Sequence, residues 1–223
     1  MARLTRIVVP DVPHHVTQRG NRRQKLFVER GDYGLYRDLL AERCRANGVA
    51  CWAYCLMPNH VHLIMTPSTA DGLAKAVGEA HRRYTAFFNA RARVTGHLFQ
   101  GRFVSRAMDE EHLIAAARYL ALNPVKAGLV KAPADWPHAS VRAHLIGQDD
   151  ELVTVAPLAQ RVEIFADLVG LPGDDLDRSA AFEVPRANGR PLGGAAFIAE
   201  VETKLGRAVR PGKRGPKPRS GAR

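Results

Sequence analysis

Little in this sequence builds a covalent scaffold. Three cysteines among 223 residues (Cys44, Cys51, Cys55) make an odd count with no C-x-x-C pair. That argues against a disulfide framework or a cysteine zinc site and suits a reducing, cytoplasmic compartment. No apolar run approaches the roughly 20 residues of a membrane helix. The N-terminal stretch MARLTRIVVPDVPHH is too briefly apolar for a secretory signal. Acids are in short supply, with 22 Asp+Glu against 33 Lys+Arg, a formal charge of +11 and a pI near 10.1. A chain this basic has nucleic acid as its first candidate partner. Its 46% hydrophobic content supports a folded core and excludes collagen-like or wholly disordered classes.

The charge is unevenly placed. Residues 1–108 carry 17 basic and 7 acidic side chains, a net of +10. Residues 109–203 carry 8 and 15, a net of −7, and residues 204–223 carry 8 and none. The final segment is rich in Gly, Pro and Arg, a composition that cannot bury enough apolar surface to fold alone. It is expected to be a disordered tail, acting either as a solubiliser or as a phosphate-contacting arm. The expected organisation is therefore 1–130 as the main domain, 131–203 as an acidic, partly helical extension and 204–223 as the tail.

Periodicity sketches the elements. A strand is expected at 13–19, followed by the polar loop GNRRQ, and a helix at 31–46 with Leu35, Leu39 and Leu40 at helical spacing. Strands at 49–57 and 60–66 flank the turn signal Pro58-Asn59 and read as a hairpin. A helix follows from Asp71 to about residue 91, and a strand over 97–107. Asp109, Glu110 and Glu111 open a further helix that is expected to stop near Leu122, before Asn123-Pro124. The order β-α-β-β-α-β is the split βαβ, ferredoxin-like pattern. The fold class expected is α+β: an RRM-like antiparallel sheet with helices on one face, the other face open, plus the C-terminal extension. Further on, a helix is expected within 154–170, a loop with Asp174, Asp175 and Asp177 over 171–190, and a short helix at 195–205.

Three constellations could carry chemistry. In a strand, His60 and His62 point to one face while Val61, Leu63 and Met65 point to the other. Two imidazoles about 6–7 Å apart along the strand can converge on one metal, or can simply be surface residues. Tyr119 and Asn123 are four apart, so on a helix they share a face, expected to lie away from Leu113, Ala117 and Leu120. Arg19, Arg22, Arg23 and Lys25 follow the first strand, Arg82 and Arg83 lie on the second helix, and Arg102 and Arg106 on the fourth strand. Their recurrence in a domain at +10 favours a surface for nucleic-acid phosphates over a merely solvated face.

MPNHVHLIM, then GHLFQGRF, then ARYLALNPVKAGLV, in that order, resemble the single-tyrosine HUH transposases, and in particular the REP-associated tyrosine transposase branch. PHHVTQRGNRRQKLF and GRPLGGAAFIAEVETKLGR are similar to the same branch, so the resemblance spans nearly the whole chain. It implies that His60, His62 and Asn123 hold a divalent metal and that Tyr119 is the nucleophile. It implies a transposase-type nicking and rejoining of single-stranded DNA through a 5′-phosphotyrosine, at REP-like hairpins. It also implies Mg²⁺ or Mn²⁺, although imidazole ligands ordinarily suit Zn, Ni or Fe better. The expected partner is single-stranded or hairpin DNA, with the protein a monomer or a homodimer. The alternative is a non-catalytic RRM-like module, which needs aromatics displayed on central strands; Phe99 and Phe103 give a partial echo of that pattern. A small His-His metal hydrolase would lack Asp or Glu ligands near His60 and His62.

Overall fold

Two apolar strands, β2 (Val49–Met57) and β3 (His60–Pro67), fold back on each other around Pro58-Asn59 and set the frame. The computed structural model describes residues 6–170, 182 and 189–210. β1 (His14–Arg19) pairs antiparallel with β3, and β4 (Val104–Ala107) pairs antiparallel with β1, giving the sheet order β2-β3-β1-β4. This is the ferredoxin-like order expected from the element sequence. The helices are α1 (Arg30–Ala46), α2 (Gly72–Ala92), α3 (Glu110–Lys126), α4 (Val141–Ile146), α5 (Ala156–Ala159), α6 (Phe165–Gly170) and α7 (Ala195–Leu205).

Each sheet face is buried by a different set of helices. Val16, Val61, Leu63 and Met65 form one core with Tyr36 and Leu40 of α1 and Leu73, Val77 and Tyr84 of α2. A bulge between Cys51 and Ala53 shifts the alternation in β2, so Trp52, Ala53, Cys55 and Met57 turn to the other face with Ile64. There they meet Leu113, Ala116, Ala117 and Leu120 of α3. The second face is thus closed rather than open, because α3 carries an apolar stripe that must be buried somewhere.

Described segments after residue 130 line the sheet edges. Beside β2, the Leu56 amide donates to the His138 carbonyl at 2.9 Å, Ser140 to Tyr54 at 3.0 Å and Thr154 to Cys51 at 2.8 Å. Beside β4, Leu192 donates to Ala107 at 2.7 Å and Asp109 to Leu192 at 3.0 Å. Both outer edges are therefore engaged, which removes them as templates for strand addition. α7 packs Val201 against Val9, Val12 and Ala107.

Several boundaries differ from the pattern reading. β4 is four residues long, so Arg102 precedes the strand, and Phe99 makes only an isolated bridge to Gly20. α3 runs through Pro124 to Lys126: the Ala127 amide still donates to Asn123 O at 2.9 Å and Leu129 to Pro124 O at 2.9 Å, so the proline removes a single donor without ending the helix. Residues 154–170 hold two short helices, and α4 lies ahead of them. Phe99 and Phe103 are buried rather than displayed, Phe99 stacked on His81 at 4.2 Å, which removes the surface an RRM-like reading needs. Asp174, Asp175, Asp177 and the tail from residue 211 lie outside the described residues. Among the described residues no helix is long and apolar enough to cross a membrane.

Candidate active site

The α3 side of the sheet carries the site. Antiparallel register places Arg19 opposite His60, Thr17 opposite His62 and His15 opposite Ile64, so these side chains share one face. His60 and His62 lie edge to face with ring centroids 4.9 Å apart. α3 crosses this face and brings Tyr119 to His62, at a centroid distance of 5.2 Å. One helical turn on, Asn123 faces the same space. His60, His62, Tyr119 and Asn123 all line one cavity of about 860 Å³. Tyr119 is buried, 6% exposed, and belongs to the same apolar cluster as Leu113, Ala117 and Leu120. Phe182 closes over it, with rings 5.4 Å apart.

The polar atoms in this cavity are arranged for an electrophile. His60 Nδ1 lies 2.6 Å from Asn59 Oδ1, an acceptor, so Nδ1 carries the proton and Nε2 keeps its lone pair. His62 Nδ1 lies 3.0 Å from His15 Nε2, while His62 Nε2 and Asn123 Nδ2 are buried without a partner among the described residues. A carboxamide can present its oxygen by a half-turn, so the Asn123 side chain can accept as well as donate. Burial and then the Arg19 charge push His60 down to about 4, and burial, His15 and His60 hold His62 well below its ordinary value. Burial, with Arg106, pushes His15 down to about 3. All three imidazoles are neutral near pH 7. Two neutral imidazoles and a carboxamide fit a divalent cation. Among the described residues, no group of three or more His, Cys, Asp or Glu could hold a metal.

The mouth of the cavity is basic. Arg19, Arg22, Arg23 and Arg102 line it with Thr17, Gln18 and Gln100. Arg22 and Arg23 both sit at left-handed backbone angles, φ 52° and 62°. Hydrogen bonds hold their loop in place: Gly20 N to Asn59 O at 2.9 Å, Asn21 N to Leu98 O at 2.8 Å and Gln24 Nε2 to Leu98 O at 3.0 Å. The strained pair therefore rests on a well-tied loop. Lys25 and Arg106 do not line the cavity; Arg106 instead donates to the Arg190 carbonyl at 3.2 Å. Arg82 and Arg83 lie on α2, across the sheet, paired with Glu79 and Glu42. The pattern reading missed His15 and Phe182. His15 was visible only as the second histidine of PHH, and nothing local to Phe182 marks it.

The chain as a whole is similar to known proteins. The chain is 28% identical over 130 residues to a Haemophilus influenzae protein described as a REP-associated tyrosine transposase, covering 51% of this chain and 73% of that one. In structure it resembles a REP-associated tyrosine transposase solved bound to a REP hairpin, with a TM-score of 0.57 and 22% identity over 69% of this chain and 92% of the other. At that identity the likeness establishes the fold. The profile of the family described as "Transposase IS200 like" matches residues 8–123 of the 223. The chain belongs to the IS200-like transposase family.

Proposed function

We propose that this protein nicks and rejoins single-stranded DNA beside REP-like hairpins, with Tyr119 as the nucleophile. The observation that carries the reading is the single cavity that gathers Tyr119, two neutral imidazoles and Asn123 behind an arginine mouth. The hairpin is suggested by the relative solved with a REP hairpin. In this reading residues 1–130 form the catalytic domain, and the described segments around His138, Ser140, Thr154 and Leu192 brace its sheet edges. Against the expectation of a disordered tail from residue 204, Lys204 and Leu205 end α7 and Val209 is buried with Val9 and Val12, so the basic arm of this reading begins after residue 210.

The hydroxyl oxygen of Tyr119 attacks the scissile phosphorus as its proton passes to solvent. The bond from phosphorus to the 3′ oxygen breaks, and that oxygen takes a proton to become a free 3′-OH. The 5′-phosphate stays on Tyr119, so the bond energy is kept for rejoining when a 3′-OH attacks in reverse, and no nucleotide cofactor is consumed. Burial of the phenol against His62 and Phe182 fixes the direction of attack, which converts binding into orientation. Arg19, Arg22, Arg23 and Arg102 neutralise the phosphates that enter the mouth. His60, His62 and Asn123 would hold Mg²⁺ or Mn²⁺, and such an ion supplies Lewis-acid polarisation of the scissile phosphate.

The test is incubation of the full chain with hairpin oligonucleotides carrying a single-stranded flank, with and without Mn²⁺. The expected result is metal-dependent nicking in the flank, lost in His60→Ala. Unchanged cleavage by His60→Ala would remove the metal site from the reading, and hairpin binding without any nicking would leave a binding module.

A further inference from the structure

The two imidazoles of the cavity are held in matching ways by partners from different elements. Asn59, in the hairpin turn, takes the Nδ1 side of His60 at 2.6 Å. His15, on the neighbouring strand, takes the Nδ1 side of His62 at 3.0 Å. In each case Nδ1 is engaged, and on His62 the buried Nε2 has no partner among the described residues. His15 stands opposite Ile64 in the β1–β3 register, so it is the diagonal neighbour of His62. Diagonal neighbours in an antiparallel pair are about 7–8 Å apart, with their Cβ atoms somewhat closer, a gap that two imidazoles can bridge. The two rings are nearly parallel, 2° between planes, with centroids 5.2 Å apart.

His15 has no other evident task on this face. It is 2% exposed, and its ring lies edge to face with Phe182 at 5.1 Å and with Tyr119 at 6.4 Å. A core position filled for packing alone would take an apolar residue, because a buried imidazole needs hydrogen bonds that an isoleucine or leucine does not. His14, its neighbour, satisfies that need locally: it faces the opposite side of the sheet and bonds the Val12 carbonyl and the Val9 amide. His15 reaches across to the next strand and meets one atom of the cavity's most buried imidazole.

We propose that His15 is a positioning residue that accepts the Nδ1 proton of His62 and so directs the bare Nε2 of His62 into the cavity. The inference rests on the metal site of the proposed function, and it adds the device that prepares one ligand before the cation arrives. A ring nitrogen is distinguished by the hydrogen bond the other makes, so fixing Nδ1–H fixes which atom is free to ligate. Without His15 the ring of His62 can rotate or adopt the Nε2–H tautomer, and binding must then reverse that choice. His15 itself touches neither the cation nor the DNA.

The experiment measures Mn²⁺ affinity of the full chain in the absence of DNA, by electron paramagnetic resonance of free Mn²⁺. His15→Phe fills the ring's space without an acceptor, and His15→Gln restores an acceptor oxygen. Removing the partner that orients a ligating histidine weakens metal binding by roughly 10–100-fold, so His15→Phe is expected to fall in that range and His15→Gln to recover most of the loss. His62→Ala is the control for the metal reading itself. If His62→Ala binds Mn²⁺ as the wild type does, the metal site fails. If His62→Ala loses binding while His15→Phe keeps it, only the role of His15 is overturned. A second readout needs no variant. Nitrogen-15 spectra of the wild-type imidazoles are expected to show His62 as the Nδ1–H tautomer, and an Nε2–H tautomer would overturn the proposal even if His15→Phe did not fold.

Discussion

Gly20→Ala tests whether the arginine mouth depends on one close backbone approach. Gly20 has ordinary extended angles, φ −61° and ψ 142°, so any residue could adopt its conformation. What excludes a side chain is space. A Cβ on Gly20 would lie 2.2 Å from the carbonyl oxygen of Gln24, where ordinary contact begins at 3.4 Å. The loop must therefore open by about 1 Å, and the atom in the way is backbone, which cannot rotate aside. Opening strains the Arg23 N to Gly20 O bond of 3.0 Å and the Gln24 N to Asn21 O bond of 2.9 Å, which hold the left-handed turn. Overpacking of this kind costs about 1–3 kcal/mol. At roughly 2–4 °C per kcal/mol for a chain of this size, the melting temperature should fall by about 2–12 °C. The functional effect follows from Arg22 and Arg23, which the turn presents. Each phosphate contact to single-stranded DNA contributes about 0.7 to the slope of log K against log salt concentration. Losing both should flatten that slope by up to about 1.4. Calorimetry and salt-titrated hairpin binding measure the two effects. A wild-type melt together with a wild-type slope would refute the claim that this loop is a fixed platform.

Arg22→Gly separates strain from charge: relief of a left-handed non-glycine backbone and the added chain entropy of glycine are each about 1 kcal/mol and oppose one another, so the melt should barely move while the salt slope falls by about 0.7. Arg82→Ala should change neither quantity measurably, because Arg82 is an exposed partner of Glu79 on the far side of the sheet; a reduced slope would bring α2 into the DNA surface. Asp32 is 1% exposed and receives Arg91 Nη2 at 2.8 Å and the amides of Val28 and Glu29 at 2.8 and 3.0 Å. Asp32→Ala should cost about 3 kcal/mol by denaturant titration, the low end for a broken buried pair, since Arg91 is 29% exposed and can rehydrate. Burial pushes the Asp32 carboxyl up, but the bonds from Arg91 and from those amides outweigh it and hold it below its ordinary value. A lowered folded pKa stabilises the protein above the unfolded value near 3.8, and that contribution fades as pH falls through the folded value. Wild type and Asp32→Ala should therefore converge in stability only below about pH 4, and a constant gap down to pH 2 would contradict the assignment.

The sheet and the paired histidines were legible because period-2 alternation is a local property: His60 and His62 face together, and Val61, Leu63 and Met65 face the core, as the pattern requires. Tyr119 and Asn123 share a face for the same kind of reason, at the helical period. Local pattern ended where long-range packing began. Closure of the second sheet face depends on where α3 lies, and the edges depend on segments some 80 residues away in sequence, such as Ser140 against Tyr54. Pro124 looked like a stop because a proline biases its predecessor away from the helix, yet tertiary packing of Ala121 and Asn123 holds the helix through it. His15 acquires its partner only through the register of β1 on β3, and no spacing within PHHVTQR reveals that register.

The central claim is that the phosphate passes to Tyr119, and peptide mass spectrometry of the protein–DNA adduct addresses it most directly. After reaction with a hairpin oligonucleotide and Mn²⁺, the account predicts a 5′-linked deoxynucleotide on the peptide containing Tyr119 and a released strand ending in 3′-OH. Tyr119→Phe should bind the hairpin with wild-type affinity and form no adduct. An adduct on any other residue, or cleavage that leaves a free 5′-phosphate with no covalent species, would contradict it.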